Sequence, residues 1–146
     1  MGLVEGHSFD ENKCRELLAR SQLGRVALSL AAVPVIVPVR YTVLAEAIYL
    51  LLQSDQIARA LDQSVITLHV DGHNLVEARP WSVLAIGQAS RLTTLEESPE
   101  WGIAFGMPIG TEVSQKAPSP SHHVLHLDVR LLSGGWMEDP WPGGQL

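Results

Sequence analysis

The stretch GRVALSLAAVPVIVPVRYTVL, residues 24 to 44, decides the fold. In its first part, apolar Val26, Leu28 and Leu30 alternate with Arg25 and Ser29. That period of two belongs to a strand with one buried face. Ala31, Ala32 and Val33 turn the chain, and a second alternating run sets Val35, Val37, Val39 and Tyr41 on one face. Pro38 inside that run has no N–H to give a neighbouring strand, so the strand carries a free edge or a bulge there. The same region holds the most apolar segment, VALSLAAVPVIVPV (26 to 39), interrupted by Pro34 and Pro38. It is too short to span a bilayer and too broken for a helix.

Upstream, SFDENKCRELLARSQLG predicts an amphipathic helix over residues 8–23, opened by a capping box of Ser8 and Glu11. Cys14, Leu17, Leu18 and Ser21 share its apolar face, and Gly24 ends it. Downstream, AIYLLL (47 to 52) reads as a third strand and SDQIARALD (54 to 62) as a short helix. From Ser64 to Asp71, Ile66, Leu68 and Val70 alternate with Val65, Thr67 and His69. Asp71-Gly72 predicts a turn and HNLVEARP a loop. WSVLAIGQASRLT (81 to 93) is a long strand in which Gly87 marks a bulge or a close approach by another group. SPEWGIAFGM predicts a helix capped by Ser98, and QKAPSPS (115 to 121) a loop. HHVLHLDVRLL supplies a last strand that buries His123, Leu125, Leu127, Val129 and Leu131. The Gly- and Pro-rich residues 136–146 predict a flexible tail. Six strands without βα alternation imply a mainly β domain over residues 1–135, an antiparallel barrel with short flanking helices.

Hydrophobic residues make up 46% of the 146 and charged residues 18%, the balance of a globular chain with room for a core. The net charge is −6 and Lys and Arg form no run, which argues against nucleic acid as a partner. Cys14 is the single cysteine, so no internal disulfide exists and a reducing, cytoplasmic setting is expected. The polar opening MGLVEGHSFDENK does not read as a leader, and no membrane partner is expected.

Five pieces in order carry a resemblance: CRELLARSQLGRVALS, PVIVPVRY, VITLHVDG, WSVLAIGQA and HVLHLDVRLLSGG. Together they resemble the pyridoxamine 5′-phosphate oxidase-like family of split β-barrel flavoproteins, over most of residues 14 to 135. The resemblance implies a six-stranded antiparallel split β-barrel and a homodimer. It further implies FMN or a deazaflavin in clefts between the subunits, with redox chemistry on a small molecule. Members often carry R-T-x-x-G-x-K-L at the strand–turn–helix that holds the flavin phosphate. Here that place reads LLQSDQI: Leu51 and Leu52 stand for the Arg-Thr pair, Ser54 for the Gly and Gln56 for the Lys. Each lost charge-assisted hydrogen bond removes about 1.5–3 kcal/mol. Asp55 adds a like charge where a phosphate would sit, or fills that anion position itself.

The cofactor-binding candidates are therefore Arg40, Tyr41, Gln53, Ser54, Gln56, Arg59, Trp81 and Ser82. Arg40 and Arg59 are either replacement phosphate ligands or solvated surface arginines. Trp81 either lines the cleft or packs at the dimer interface. Two readings of function stand: a flavin- or deazaflavin-dependent oxidoreductase, or a non-catalytic member that binds a ligand, or none, in a cleft with a degenerate phosphate clamp. His69, Asp71 and His73 share a strand face with metal-ligand spacing, but the predicted turn at Gly72 breaks it, and no metal is expected. His123 reads as a core or interface histidine. No nucleophile motif, dinucleotide fingerprint or phosphate loop is present.

Overall fold

A computed structural model describes residues 8–74, 79–92 and 123–137. The elements run α1 (Glu11–Arg20), β1 (Leu23–Leu30), β2 (Val33–Leu44), β3 (Ala47–Leu52), α2 (Asp55–Leu61), β4 (Val65–Asn74), β5 (Arg79–Arg91) and β6 (His123–Trp136). The six strands close into an antiparallel barrel in the ring order β1–β2–β3–β6–β5–β4. Its interior is the core, filled by the inward residues of each alternation, among them Val26, Tyr41, Leu50, Leu68, Val83 and Leu125. Each buried aliphatic side chain contributes about 1.5–3 kcal/mol. α1 joins this core through Cys14, Leu17 and Leu18.

The N-terminal helix is shorter than its pattern predicts. Asp10, not Ser8, caps it, accepting the Lys13 N–H at 2.8 Å. Ser8 stays extended because Phe9 donates its N–H to the Gly134 carbonyl at 2.8 Å, and Ser8 bridges to Gly135. The helix stops before Gly24, at Ser21, where the Leu18 carbonyl accepts both the Ser21 N–H and the Tyr41 hydroxyl. Gly24 lies inside β1, opposite Val39.

Two hairpins join β1 to β2 and β2 to β3 through the pairs Ala31-Ala32 and Ala45-Glu46, all four residues at φ between 47° and 69°. Positive φ at both central positions suits the strand twist, although neither pair carries the Asn or Gly that usually announces it. Because Leu30 and Val33 flank a two-residue turn, ladder hydrogen bonds to β1 fall at the odd residues of β2. Pro34, Ile36 and Pro38 turn their peptide groups the other way. β3 pairs with β2 only over residues 40–44, so along 34–38 that second edge has no partner among the described residues. The free edge expected at Pro38 is present.

The turn expected at Asp71-Gly72 is not. β4 continues to Asn74, and Asp71, Gly72, His73 and Asn74 pair with Ser82, Trp81, Pro80 and Arg79. Gly72 is needed for packing rather than for turning: a Cβ there would lie 2.4 Å from Cζ2 of Trp81.

Gly87 serves both of its expected roles. The β5–β6 register slips between Ile86 and Gly87, and a Cβ on Gly87 would fall 1.8 Å from the Asp128 carbonyl oxygen. The slip inserts one extra residue in β6 and reverses its facing. Leu131, expected inside, is consequently 52% exposed, while Leu132 turns onto the core. β6 also extends through Gly134 and Gly135 to Trp136, whose ring meets Phe9 edge-on at 5.3 Å and lies under the Arg79 guanidinium. The helix expected at 98–107, the loop at 115–121 and residues 138–146 lie outside the described residues.

Candidate functional site

Where β3 ends, the chain passes through Gln53 and Ser54 into α2, and there a cleft opens against the free edge of β2. Its volume is ≈ 360 Å³, within the range of small-molecule sites. Leu23, Val37, Pro38, Val39, Leu51, Leu52 and Ile57 give it apolar walls, and Arg40, Gln53 and Ser54 its polar part. Pro38 directs a carbonyl toward this side and has no N–H. The edge beside the cleft is therefore richer in acceptors than an ordinary strand edge.

The turn itself is closed. Ser54 caps α2, its Oγ accepting the Ile57 N–H at 3.2 Å, and its carbonyl accepts the Ala58 N–H at 2.9 Å. Asp55, the first residue of α2, turns its carboxylate onto two arginines. Oδ1 accepts from Arg91 Nη2 at 2.9 Å, and Oδ2 lies 2.8 Å from Arg59 Nε. The hydrogen bond from Arg91, with the charge of Arg59 beside it, holds the Asp55 carboxyl below the usual aspartate range despite the opposing effect of desolvation. Arg91 also contacts His123 Nδ1 at 2.6 Å. A guanidinium only donates, so Nδ1 carries the lone pair and the ring proton sits on Nε2, 3.8 Å from Asp55 Oδ1. Asp62 completes the cluster by accepting the Arg91 main-chain N–H at 2.8 Å.

Of the eight residues singled out in the sequence, the structure brings Arg40, Gln53 and Ser54 together on the cleft wall. Gln56 is exposed on α2 and does not line the cleft. Arg59 is 75% exposed and paired with Asp55. Tyr41 is buried in the core, donating its hydroxyl to the Leu18 carbonyl at 2.6 Å, and burial pushes that hydroxyl up to about 12. Trp81 packs in the core against Gly72. Ser82 belongs to a second polar group on the outer face of the barrel. There Arg25 Nη1 reaches Asp71 Oδ1 at 3.0 Å and His69 Nδ1 at 3.4 Å, and His69 Nε2 lies 2.9 Å from Ser82 Oγ. With Arg25 donating to Nδ1, His69 gives its Nε2 proton to Ser82 and does not act as a base on it. No group of residues with metal-holding geometry occurs among the described residues.

Sequence reasoning missed Arg91 and His123 as the partners of Asp55. They come from β5 and β6, and only the pairing of His123 with Leu52 carries the histidine to the end of β3. It also missed Leu23 and Val37 as cleft walls, since both look like ordinary strand residues.

No described helix is long and apolar enough to cross a membrane. No curated protein matches the chain. Among solved structures, an FAD-binding protein from Mycobacterium smegmatis superposes with a TM-score of 0.65 at 15% identity, covering 90% of this chain and 99% of that one. An FAD-binding protein from Mesorhizobium loti gives 0.69 at 17% identity, over 90% and 97%. A flavocytochrome from Azotobacter vinelandii gives 0.68 at 16%, over 91% and 70%. These likenesses show a shared fold. The sequence carries the finer signal: the pyridoxamine 5′-phosphate oxidase model matches residues 10–135, from the cap of α1 to the next-to-last residue of β6, and the chain belongs to that family.

Proposed function

We propose that the cleft beside the β2 edge binds a flavin or deazaflavin and that the protein uses it for redox chemistry on a small molecule. The carrying observation is the match between cleft and cofactor. Apolar walls from Val37, Leu51, Leu52 and Ile57 suit a flat aromatic ring, and the Pro38 carbonyl is an acceptor for a ring N–H. Gln53, Ser54 and Arg40 suit a polyol and its phosphate. The flavin-binding structures of similar fold support the same reading. A bound flavin supplies the hydride chemistry; the chain supplies position, exclusion of water and hydrogen bonds.

The cleft is open along one side, and apolar Leu23, Ile36, Val65 and Leu131 stand more than half exposed on the outer face. A second copy of the chain covers such a face in this reading, giving a homodimer of about twice 15.9 kDa. The rival reading is a member that binds its ligand without turnover. The pairing of Arg59 and Arg91 with Asp55 favours it, because neither cation is left to clamp a phosphate.

One set of measurements tests both. The purified protein is sedimented, its absorption spectrum is recorded, and it is titrated with FMN, FAD and a deazaflavin. Saturable binding with reduction of the bound cofactor by a nicotinamide donor is the expected result. Binding that never turns over with any donor or acceptor selects the rival. Absence of binding, or a monomer throughout, sinks the shared-cleft reading.

A further inference from the structure

Residues 26–39 contain no charged side chain, in a chain with 10 cationic and 16 anionic ones, and they make up the β1–β2 hairpin. β1 pairs with β4 only over residues 25–27, and β2 meets β3 only from residue 40 onward. Residues 28–30 and 33–38 therefore pair with each other and with no other described strand. A two-stranded ribbon is at best marginally stable by itself in water. One of its faces has support, since Leu28, Leu30, Val35 and Val37 pack on the core. On the other face Ala27 lies beside Ile36 and Ser29 beside Pro34, and all four are exposed, Ile36 by 69%. The row continues from Ile36 and Ala27 to Thr67 of β4, with exposed Val65 on the same side of that strand. An uncharged surface gathered in this way marks a contact site.

The chemistry of this face narrows what can cover it. It offers no charge to an ionic partner, and Arg25, next along the same side of β1, is held by Asp71 at 3.0 Å. Within 26–39 no aromatic or cationic side chain is present to seat in a lipid headgroup layer, and a net charge of −6 opposes approach to an anionic bilayer. Addition of a strand is interrupted at Pro34 and Pro38. An uncharged face can instead meet its own copy across a two-fold axis, because no like charges are brought together there. Leu23 and Pro38 are exposed on this side and also line the cleft, so a copy seated here closes the cleft's open side. Resting on the reading that a second copy covers the cleft, we propose that the outer face of the β1–β2 hairpin is where two chains dock. The contact is side chain against side chain, and the cleft of each chain is complete only in the pair.

The test is sedimentation of the full-length protein over a dilution series, for wild type, Ile36→Lys and Met137→Lys. Met137 is also exposed and apolar, but its N–H bonds the Pro80 carbonyl, opposite His73 and away from the hairpin. Ile36→Lys sets like charges into a two-fold contact and is expected to weaken dimerisation on the order of a hundredfold or more, while Met137→Lys stays within about threefold. Ile36 does not line the cleft, so FMN binding is expected to fall in Ile36→Lys in step with the dimer. An Ile36→Lys protein that is folded by circular dichroism and still dimeric overturns the hairpin contact and leaves the homodimer standing. Undiminished FMN binding to a monomeric Ile36→Lys protein overturns the closure of the cleft. Hydroxyl-radical footprinting of wild type needs no variant to fold. Val33 and Ile36 are expected to be protected in the concentrated dimer and reactive on dilution, and equal reactivity overturns the contact. Wild type that stays monomeric and pellets with phosphatidylcholine vesicles makes the face a lipid surface and overturns the proposal. If wild type stays monomeric and leaves vesicles alone, the shared cleft and the hairpin contact fall together.

Discussion

Gly87 sits where β5 and β6 change register, with the Asp128 carbonyl occupying the space a side chain would need. A methyl group there meets backbone rather than a flexible side chain, so the barrel must open to admit it. Gly87→Ala should therefore cost at least about 3 kcal/mol, the scale of severe overpacking, read as a lower urea midpoint. Asp55 makes a different residue-scale prediction. Arg91 and Arg59 lower its pKa in the folded state, so its ionised form is stabilised by folding. That contribution is present above the unfolded value near about 4 and is lost as pH falls through the lower folded value. Between about pH 4 and pH 2, wild type should lose stability faster than Asp55→Asn, a difference that parallel urea titrations measure.

The hairpins show what local sequence hides. Alternation in 24–44 places both strands, and it marks the free edge through Pro38, because periodicity and a missing N–H are local properties. The conformation of Ala31 and Ala32 is not local: alanine adopts φ of 47° and 65° only because the paired strands impose that turn. The same holds for Leu131, whose outward facing follows from a bulge set by β5, and for Gly72, which looks like a turn residue but makes room for Trp81. Replacing the turn by Ala31→Asn with Ala32→Gly should relieve the strain. The expected gain is about 1 kcal/mol, or about 2–4 °C in Tm by calorimetry.

At the scale of the molecule, the core was legible in the sequence and the residues gathered at the candidate cleft only in part. Gln53, Ser54 and Arg40 could be found because the order of strands and turns points to the end of β3. Arg91 and His123 could not, since barrel closure brings them to Asp55 from strands far along the chain. Closure also governs Cys14. It is fully buried, beside the backbone of Gly134, and burial pushes its thiol up from the ordinary range. A thiol reagent near neutral pH should modify it only when α1 leaves the barrel or the whole domain opens. Its labelling rate should rise with urea in step with unfolding, whereas rapid labelling of the native protein would show α1 to be loosely attached.

The prolines of β2 have a further effect. Along residues 34–38 the strand's unpaired side lacks two of its three N–H donors, keeping only that of Ile36. Another extended chain laid against it would find carbonyls facing its own carbonyls and could not build a continuous ladder. A barrel with one long apolar strand on an open side is thereby kept from seeding fibrils by edge-to-edge growth. Restoring the donors with Pro34→Val and Pro38→Val should shorten the lag before turbidity and dye-binding aggregates appear on mild heating, even though the core of the fold is untouched.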